Sequence, residues 1–218
     1  MSTTLSIDFV SDVVCPWCVI GLRSLKAALA QLDNVEAEII CRPFELNPAM
    51  GKEGQNLSEH IQEKYGASPE QSAGTRQLLK DRGAALDFTF NYDEASRIWN
   101  TFDAHRLLHW AEEINAEKQL ALKEALFAAN FTEQRDVSDP EVLLNIAAEA
   151  GFDRTQAAQV LEENRYAEEV REDERFWMEQ GIHSVPAVII NRQYLISGGQ
   201  PVEAFLEALE KIASEQQG

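Results

Sequence analysis

The pattern of hydrophobic and polar residues near the start of the chain predicts a strand, a helix and a second strand. Residues 5–10 are rich in strand-forming side chains. From residue 19 to residue 32, apolar side chains recur three or four positions apart, which is the spacing of one face of an amphipathic helix. Residues 35–41 are again typical of a strand, which Pro43 and the turn-rich residues after it bring to an end.

The long middle of the chain, from about residue 57 to residue 180, is predicted to be helical. Five segments carry apolar residues three or four apart, and none has the alternation of a strand. Asp139-Pro140 is a typical helix start, and Gly151 and Gly181 are typical helix ends. The predicted helical segments are PEQSAGTRQLLKDRGAAL, EASRIWNTFDAHRLLHWAEEI, EKQLALKEALFAANF, DPEVLLNIAAEAG and RTQAAQVLEENRYAEEVREDERFWMEQG.

The pattern changes back to strands after residue 181. Residues 186–190 and 194–196 predict a β-hairpin that turns at Asn191-Arg192, and residues 201–213 predict a last helix. Strands joined through a helix lie parallel, and a hairpin adds antiparallel strands to the same sheet. This order of elements is the topology of a thioredoxin fold.

The predicted fold class is therefore α/β, a thioredoxin fold interrupted by a large all-helical insertion. Residues 1–48 supply the β-α-β part, residues 49–180 the insertion, and residues 181–218 the β-β-α part. At 218 residues, the chain can bury a sizeable core without disulfide staples.

The strongly acidic composition excludes some classes of partner. With 19 Lys and Arg against 37 Asp and Glu, the formal net charge is −18, which repels nucleic acid phosphates and anionic lipid surfaces. The first ten residues lack the basic start of a secretory signal, and no apolar run reaches the length of a membrane span. We therefore predict a soluble cytoplasmic protein that binds neither nucleic acid nor membranes, with a homodimer as an open alternative.

Cys15 and Cys18, in the stretch Cys-Pro-Trp-Cys, are the candidate reactive residues. A thiol in the first turn of a helix faces unpaired N–H groups and the positive end of the helix dipole, which stabilise its thiolate form. Cys15 is thus the expected nucleophile. Cys18 follows one turn later, close enough to close a disulfide with Cys15 or to resolve a mixed disulfide formed there. The alternatives are half of a zinc site and a structural staple.

Of the two residues between the cysteines, one is typical of the first turn of a helix and the other is not. Pro16 suits the first turn, where its missing N–H donor costs nothing. Trp17 has no such explanation. It either offers an apolar face to a substrate beside the sulfurs or packs on the neighbouring loop, and the sequence does not separate these alternatives.

A zinc site needs four ligands, and the sequence holds too few in a suitable pattern. There is no second Cys-x-x-Cys, and among the 4 histidines only His105 and His109 have the i, i+4 spacing. That pair lacks the glutamate of a His-Glu-x-x-His motif. We therefore predict no metal.

Val185 and Pro186 stand just before the predicted hairpin. A cis bond between them would turn the chain toward the helix that carries the cysteines, whereas trans is the ordinary expectation for a bond to proline. If the backbone of Val185 lies opposite Cys15, it can pair with an extended substrate segment or with glutathione as an added strand.

Taken in order along nearly the whole chain, these features resemble the DsbA-like branch of the thioredoxin superfamily, and most closely the FrnE group of dithiol oxidoreductases. The resemblance is carried by Cys-Pro-Trp-Cys after a strand, by Val185-Pro186 before the hairpin and by the helical insertion. Supporting stretches are SDVVCPWCVIGLRSL, RPFELNPAM, NTFDAHRLLHWA, ALFAANF, DPEVLLNIAAEAG and GIHSVPAVIINRQYLISGGQP.

This resemblance implies thiol–disulfide exchange through Cys15, with a cis-proline at Pro186. Relatives in the same branch, hydroxychromene-carboxylate isomerase and kappa-class glutathione transferase, bind glutathione and carry serine where this chain has Cys15. Because this chain keeps both cysteines, the dithiol activity is favoured. If the glutathione pocket of these relatives persists, Asn100, His105 and Arg106 are candidates to line it.

Three further residues have open roles. Asp8, in the first strand, resembles the buried acid that thioredoxin-like enzymes place beneath the cysteines to move protons, although it lies one residue further from Cys15 than is usual there. Asp12 competes for this role, with a position in a surface loop as the alternative. Cys41, in or at the end of the second strand, is expected to be a small buried hydrophobic side chain, and it is assigned no redox role.

Three functions follow, in order of preference. The first is a thiol–disulfide oxidoreductase that acts on protein or small thiols and disulfides, needs no cofactor beyond the Cys15–Cys18 disulfide, and has glutathione as a candidate co-substrate. A cytoplasmic location favours reduction or isomerisation, but the sequence does not give the reduction potential. The second is a glutathione-dependent isomerase or transferase, for which Cys18 is dispensable. The third is a binding module whose insertion holds apolar peptides.

Overall fold

A computed structural model describes residues 3–216 of the chain. Within that range, no helix is long and apolar enough to cross a bilayer. The elements in chain order are β1 (Thr3–Ser11), α1 (Pro16–Leu29), β2 (Val35–Pro43), β3 (Gln55–Asn56), α2 (Leu57–Tyr65), α3 (Pro69–Ala85), β4 (Arg97–Ile98), α4 (Phe102–Ile114), α5 (Ala116–Phe131), α6 (Pro140–Glu149), α7 (Arg154–Glu162), α8 (Ala167–Glu179), β5 (Ala187–Ile190), β6 (Tyr194–Ser197) and α9 (Val202–Glu215).

The main sheet has four strands in the order β2-β1-β5-β6. β1 and β2 run parallel, in a register that pairs Thr3 with Val35 and Ser11 with Pro43, and α1 connects them. β5 runs antiparallel to β1, and β6 completes the sheet as the second strand of a hairpin. The parallel crossover and the antiparallel hairpin predicted from the sequence are both confirmed.

The two faces of β1 pack against different layers, because successive side chains of a strand point to opposite sides. Leu5, Ile7 and Phe9 are buried in one core together with apolar residues of α1 and α9. Val10 points the other way and packs in a cluster with Trp177 of α8. The sheet therefore carries helices on both faces.

The first turn of α1 is fixed by its cap and by the helix that follows. Cys15 is the N-cap residue and Pro16 lies in the first turn. An apolar stripe that includes Val19, Leu22 and Leu25 is buried in the core. Full burial of each such side chain contributes about 1.5–3 kcal/mol. This packing holds the cysteine pair just beyond the end of β1.

The residues between β2 and β5 form the insertion, and in this described part of the chain they are not all helical. Helices α2 to α8 are accompanied by a small second sheet, in which β3 pairs antiparallel with β4 and Gln55 lies opposite Ile98. The predicted class, an α/β thioredoxin fold with a helical insertion, is confirmed. The expectation of an insertion without strands is wrong.

The helix predicted over EASRIWNTFDAHRLLHWAEEI is wrong in its first part. Residues 94–101 form a turn and extended chain, and α4 begins only at Phe102. Just before this stretch, the Phe90 ring packs with its centroid 5.3 Å from that of Phe131 and 5.9 Å from that of Tyr92. This aromatic packing and the pairing of β4 outweigh the helical spacing.

The helix predicted from residue 154 to residue 181 is interrupted. α7 and α8 are separate because Asn164 and Tyr166 take φ angles of 51° and 61°, in the left-handed region. A right-handed helix does not continue through such residues. The break lets α8 turn back against the sheet.

Candidate active site

Backbone groups hold the Cys15 sulfur at the start of α1. Cys15 Sγ accepts a hydrogen bond from the Cys18 N–H at 3.2 Å, and the Cys15 N–H donates to the Asp12 carbonyl at 3.2 Å. Only 3% of Cys15 is exposed, yet it lies on the wall of a large cavity. The sulfur thus meets an N–H donor on one side and the cavity on the other.

Cys18 lies one turn further into α1 and is fully buried. Burial raises the pKa of the Cys18 thiol well above its ordinary value, and the nearby Cys15 sulfur raises this pKa further. Cys15, Cys18 and Cys41 are free thiols. A molecule in the cavity therefore meets Cys15, whereas Cys18 is reached only through its neighbour.

The loop before β5 brings a backbone carbonyl to Cys15. The Val185–Pro186 peptide bond is cis, and Cys15 Sγ donates to the Val185 carbonyl oxygen at 3.8 Å. Val185 also lies on the cavity wall. Cys15 and the Val185 backbone are thus side by side, the arrangement that an added substrate strand requires.

Two glycines let this part of the chain lie close to α1. A Cβ atom at Gly21 would lie 2.9 Å from Pro186 Cγ, closer than real Cβ atoms approach. A Cβ atom at Gly199 would lie 2.9 Å from the Trp17 carbonyl oxygen. Because proline rings and backbone atoms cannot bend away, both contacts need glycine.

A cavity of about 530 Å³ opens beside Cys15. The thioredoxin part supplies one side of it, with Pro16, Trp17 and Val185 next to the sulfur. This size and the mostly apolar wall are typical of small-molecule pockets. The insertion supplies the other side with apolar and aromatic residues, among them Leu57, Ile61, Tyr65, Leu79, Tyr92, Ile98, Trp99 and Phe131.

The charge of the cavity differs from that of the chain. Among the residues that the structure describes, no Asp or Glu lies on its wall, although the chain has 37 of them. Arg76 and Arg97 do lie on the wall, and the Arg82 guanidinium lies over the Trp17 ring at 5.3 Å from its centroid. Among residues 3–216, none of these three arginines has a carboxylate oxygen within 4.0 Å. The surroundings of Cys15 therefore favour an anionic ligand.

Asp12 is the acid that lies next to the cysteine pair. It is fully buried; its Oδ1 lies 3.1 Å from His105 Nε2, and its Oδ2 accepts the Leu46 N–H at 2.8 Å. Burial alone would raise the pKa of Asp12, but the hydrogen bond and charge of His105 and the Leu46 N–H hold it below its ordinary value. The surface-loop interpretation of Asp12 is therefore wrong.

Asp8 lies on the face of β1 that points away from the cysteine-bearing helix. Its carboxylate pairs with Arg42 at 2.7 Å, and Arg42 also pairs with Glu112. Strand alternation explains this position, since Asp8 shares its face with Val10 and not with Phe9. The predicted proton relay at Asp8 has no support in this geometry.

Asn100, His105 and Arg106 are absent from the wall of the Cys15 cavity in the described chain. Asn100 donates to a loop carbonyl at 2.8 Å. His105 binds Asp12, and the buried Arg106 donates to the Val160 carbonyl at 2.8 Å. Their polar atoms serve internal contacts, so the structure does not bring these three to the pocket that the resemblance implied.

The two histidines considered as zinc ligands each contact a different acidic side chain. His105 contacts Asp12, whereas His109 Nδ1 lies 3.8 Å from a carboxylate oxygen of Asp173. Among residues 3–216, no three His, Cys, Asp or Glu side chains are grouped so that they could hold a metal ion.

Cys41 is buried within β2. Its backbone N–H and carbonyl both bind the side-chain amide of Gln119, at 2.8 and 3.0 Å. Burial raises the pKa of the Cys41 thiol to about 11. Its environment is that of the small buried hydrophobic residue expected from the sequence.

Sequence reasoning missed the cavity residues that the insertion supplies. Arg76 belongs to α3, whereas Tyr92 and Trp99 belong to the non-helical chain before α4. These segments meet only in the folded insertion, so no local spacing connects them. The one available signal was the run of aromatic residues without helical spacing from Phe88 to Tyr92.

The sheet topology, with a dithiol at the start of α1, defines a protein of the thioredoxin fold. A sequence model of the DSBA-like thioredoxin domain matches residues 6–210. The chain therefore belongs to the DsbA-like thioredoxin family.

Solved structures share this fold. A Streptomyces coelicolor protein described as a probable DsbA oxidoreductase is 36% identical, with a TM-score of 0.87 and coverage of 95% of this chain and 89% of its own. A 2-hydroxychromene-2-carboxylate isomerase is 14% identical, with a TM-score of 0.71 and coverage of 97% and 98%. The cytosolic disulfide reductase DsbM of Pseudomonas aeruginosa, solved with GSH, is 15% identical, with a TM-score of 0.63 and coverage of 94% and 98%.

Proposed function

We propose that this protein is a thiol–disulfide oxidoreductase that works through Cys15 and Cys18. The observation that carries the proposal is the division of the pair, with Cys15 on the cavity wall and Cys18 buried behind it. The Cys15 thiolate attacks a substrate disulfide, one substrate sulfur leaves as a thiolate, and a mixed disulfide forms. Cys18 then attacks Cys15 and releases the second substrate thiolate. The protein dithiol loses two electrons and the substrate disulfide gains them.

The Val185 backbone supports an extended protein segment as one class of substrate. A chain that presents its disulfide to Cys15 must pass the Val185 carbonyl, 3.8 Å from the sulfur. Main-chain pairing at this point would add the segment as a strand. In this proposal, Pro186 holds that loop against α1, and Pro16 and Trp17 supply the apolar surface beside the sulfur.

Trapping of mixed disulfides tests the proposal. Cys18→Ser removes the resolving thiol, so protein adducts should accumulate on Cys15 in cells quenched with acid and an alkylating agent. Cys15→Ser is the matched control, because it keeps Cys18 and Cys41 and should trap nothing. If Cys18→Ser captures no protein or small thiol while Cys15 stays open to alkylation, the oxidoreductase proposal fails.

A glutathione-dependent isomerase or transferase is the second candidate. The observation that favours it is the cavity of about 530 Å³, whose wall in the described part of the chain has two arginines and no carboxylate, since glutathione is a small anionic thiol. The isomerase and the GSH-bound DsbM also share the fold. Cys18→Ser separates the two candidates, because it should abolish disulfide turnover and leave isomerisation intact.

The direction of exchange is a further part of the proposal. Within its family we assign the chain to the FrnE group, on the stretches that resemble it, and we expect a cytoplasmic reductase or isomerase. A reduction potential below about −200 mV, in the range of glutaredoxins and thioredoxin, fits this assignment. A potential near that of DsbA, about −120 mV, would identify an oxidase instead. Equilibration of the Cys15–Cys18 pair with glutathione buffers gives the value.

A further inference from the structure

The hydroxyl of Tyr92 is a polar group beside the reactive sulfur that the proposed mechanism has not used. Tyr92 is half-buried and lies on the wall of the same cavity as Cys15. Among residues 3–216, its hydroxyl has no hydrogen-bond partner, and it is not one of the unpartnered polar atoms that the protein encloses. Because a tyrosine hydroxyl removed from bulk water usually has a partner, this one is available to a molecule in the cavity.

The Tyr92 ring is held in place by packing against two helices of the insertion. It stacks on Phe90, with ring centroids 5.9 Å apart and an angle of 4° between the planes. Phe90 in turn packs 5.3 Å from the ring of Phe131 on α5, and a Cβ atom at Gly83 of α3 would lie 2.6 Å from Phe90 Cδ2. The Asn91 N–H donates to the Phe131 carbonyl at 2.8 Å. The position of the hydroxyl is therefore set before a ligand binds.

A disulfide that is attacked by Cys15 must place its second sulfur in the cavity. The three sulfurs of such an exchange lie in line, so the leaving sulfur is about 4–5 Å from Cys15 Sγ, which is two S–S bond lengths. Only 3% of Cys15 is exposed, and its open side is the cavity. The Val185 backbone presents a carbonyl oxygen to the sulfur, and a carbonyl is an acceptor that cannot stabilise a thiolate. A donor for the leaving sulfur must therefore come from elsewhere on the cavity wall.

Tyr92 meets the requirements for this donor. Burial raises the pKa of its hydroxyl, and the Cys15 sulfur raises this pKa further, so the hydroxyl keeps its proton at neutral pH. Burial and then Cys15 also raise the pKa of Tyr65, which lies on the same wall but is 62% exposed at the end of α2. A donor that is fixed in advance stabilises developing charge without reorganisation, which favours Tyr92 over Tyr65.

We propose that Tyr92 is a catalytic residue whose hydroxyl donates a hydrogen bond to the leaving sulfur when Cys15 attacks a substrate disulfide. In this step a bond forms between Cys15 Sγ and one substrate sulfur, the substrate S–S bond breaks, and the second sulfur leaves with the electron pair as a thiolate. Tyr92 keeps its proton, and the released thiolate takes one from solvent. This role rests on the proposed oxidoreductase function.

The role also defines a class of substrate. Basic alkyl thiolates leave more slowly than acidic aromatic ones, so a donor at the leaving sulfur helps alkyl disulfides most. The Tyr92 hydroxyl therefore suits the cavity to disulfides of ordinary alkyl thiols, the class to which cysteine belongs.

A series of aromatic disulfides tests the role, because a distant substituent changes the leaving thiolate but not the shape near the sulfurs. Bis(4-methoxyphenyl), diphenyl and bis(4-nitrophenyl) disulfide are all neutral and release thiolates of decreasing basicity. In a Cys18→Ser background the reaction stops at the mixed disulfide, so thiolate release reports the attack by Cys15. The variant is Tyr92→Phe, which removes the hydroxyl and keeps the ring. Tyr194→Phe is the matched control, because the Tyr194 hydroxyl donates to Glu215, away from the Cys15 cavity.

Tyr92→Phe should slow release of the methoxyphenyl thiolate by about five- to tenfold, because a basic leaving sulfur depends most on a donor. Release of the nitrophenyl thiolate, whose charge is delocalised, should slow by less than about twofold. Tyr194→Phe should leave all three rates within about twofold. Equal slowing with all three disulfides would overturn the role of Tyr92, because a packing defect does not depend on the leaving thiolate. Unchanged rates in Tyr92→Phe would overturn it as well.

Two further results keep the role separate from the function and from folding. If the Cys18→Ser protein that retains Tyr92 releases no thiolate from any of the three disulfides, the proposed function itself fails. If Tyr92→Phe does not fold, replacement of Tyr92 by 3-fluorotyrosine decides, since fluorine makes the hydroxyl a stronger donor and nearly keeps the size of the ring. The methoxyphenyl rate should then rise relative to the nitrophenyl rate, and an unchanged ratio would overturn the proposal.

Discussion

The two sides of the cysteine pair differ more than their separation by one helical turn suggests. Among residues 3–216, Cys15 borders a cavity of about 530 Å³ with aromatic walls, two arginines and no carboxylate. Cys18 is fully buried in an apolar core. If the two cysteines act as proposed above, α1 places the thiol that meets the substrate on the cavity side and the thiol that completes the exchange on the core side.

Removal of the Cys15 sulfur should lower the activity the most. Cys15→Ser should lower disulfide exchange by on the order of a thousandfold or more, because the nucleophile is lost. Cys41→Ser changes the same atom at a buried site outside the pair and should retain exchange close to that of the unsubstituted protein. Turnover of a fluorescent disulfide substrate measures both. Equal losses in the two variants would contradict the assignment of Cys15.

Gly21 of α1 packs closely against the ring of Pro186, in the loop before β5. Gly21→Ala places a Cβ 2.9 Å from the Pro186 ring, and the required shift should cost about 1–3 kcal/mol of unfolding free energy and slow exchange. At Gly74 in α3, a Cβ meets no atom within 4 Å, so Gly74→Ala should instead stabilise by about 0.5–1 kcal/mol. Urea unfolding gives both values, and equal effects would show that the contact is not tight.

Glu45, a buried glutamate outside the cysteine pair, offers a test through pH. Its carboxyl, paired with Arg171, has a pKa raised to about 7 by burial and by Glu174. An ordinary glutamate titrates near 4.5, so between these values the folded state binds more protons than the unfolded state, and stability falls as pH rises through this window.

The variant Glu45→Gln removes this titration. Between pH 5 and 8, the unfolding free energy of the unsubstituted protein should fall by about 1–3 kcal/mol more than that of Glu45→Gln. Glu141→Gln, at an exposed glutamate paired with Arg154, is the control and should leave the pH slope unchanged. Identical slopes for all three proteins in denaturant titrations would rule out the raised pKa of Glu45.

A smaller effect is expected on the preference of the cavity for anionic over neutral substrates. Arg76→Gln with Arg97→Gln should raise the KM for an anionic aromatic disulfide by about two- to fivefold, since a half-buried and an exposed charge each contribute little. The KM for a neutral dipyridyl disulfide should stay within about twofold. Arg154→Gln, far from any cavity residue in sequence and paired with Glu141, provides the control. An equal rise in KM for both disulfides would mean that the arginines do not distinguish an anionic substrate from a neutral one.

The elements of the sheet and of α1 were predictable because short-range periodicity decides them. Runs of strand-forming residues indicated the strands, and the parallel crossover followed from their order along the chain. The position of Asp8 was predictable in principle too, since Phe9 and Asp8 must point to opposite faces. The extended stretch at 94–101 was not, because its structure depends on pairing with residues 55–56.

The polar residues of the candidate site could be predicted only where chain position determines their surroundings. Cys15 and Cys18 stand out as candidates because the start of a helix stabilises a thiolate, and their reactivity stays a prediction. Asn100, His105 and Arg106 do not line the Cys15 cavity in the described chain, because the loop before α4 sets the contacts of Asn100 and the rotation of α4 about its axis decides what His105 and Arg106 meet.

The cavity has walls from two parts of the chain that are separate in sequence. Cys15 and Val185 come from the thioredoxin part, and Tyr65, Tyr92 and Trp99 come from the insertion. If the chain is the oxidoreductase proposed above, most of the residues that contact a substrate and the residues that react with it lie on different segments, which can change independently by substitution. Under that proposal, a lineage could acquire new substrates by altering the insertion alone, while Cys15 and Cys18 stay unchanged.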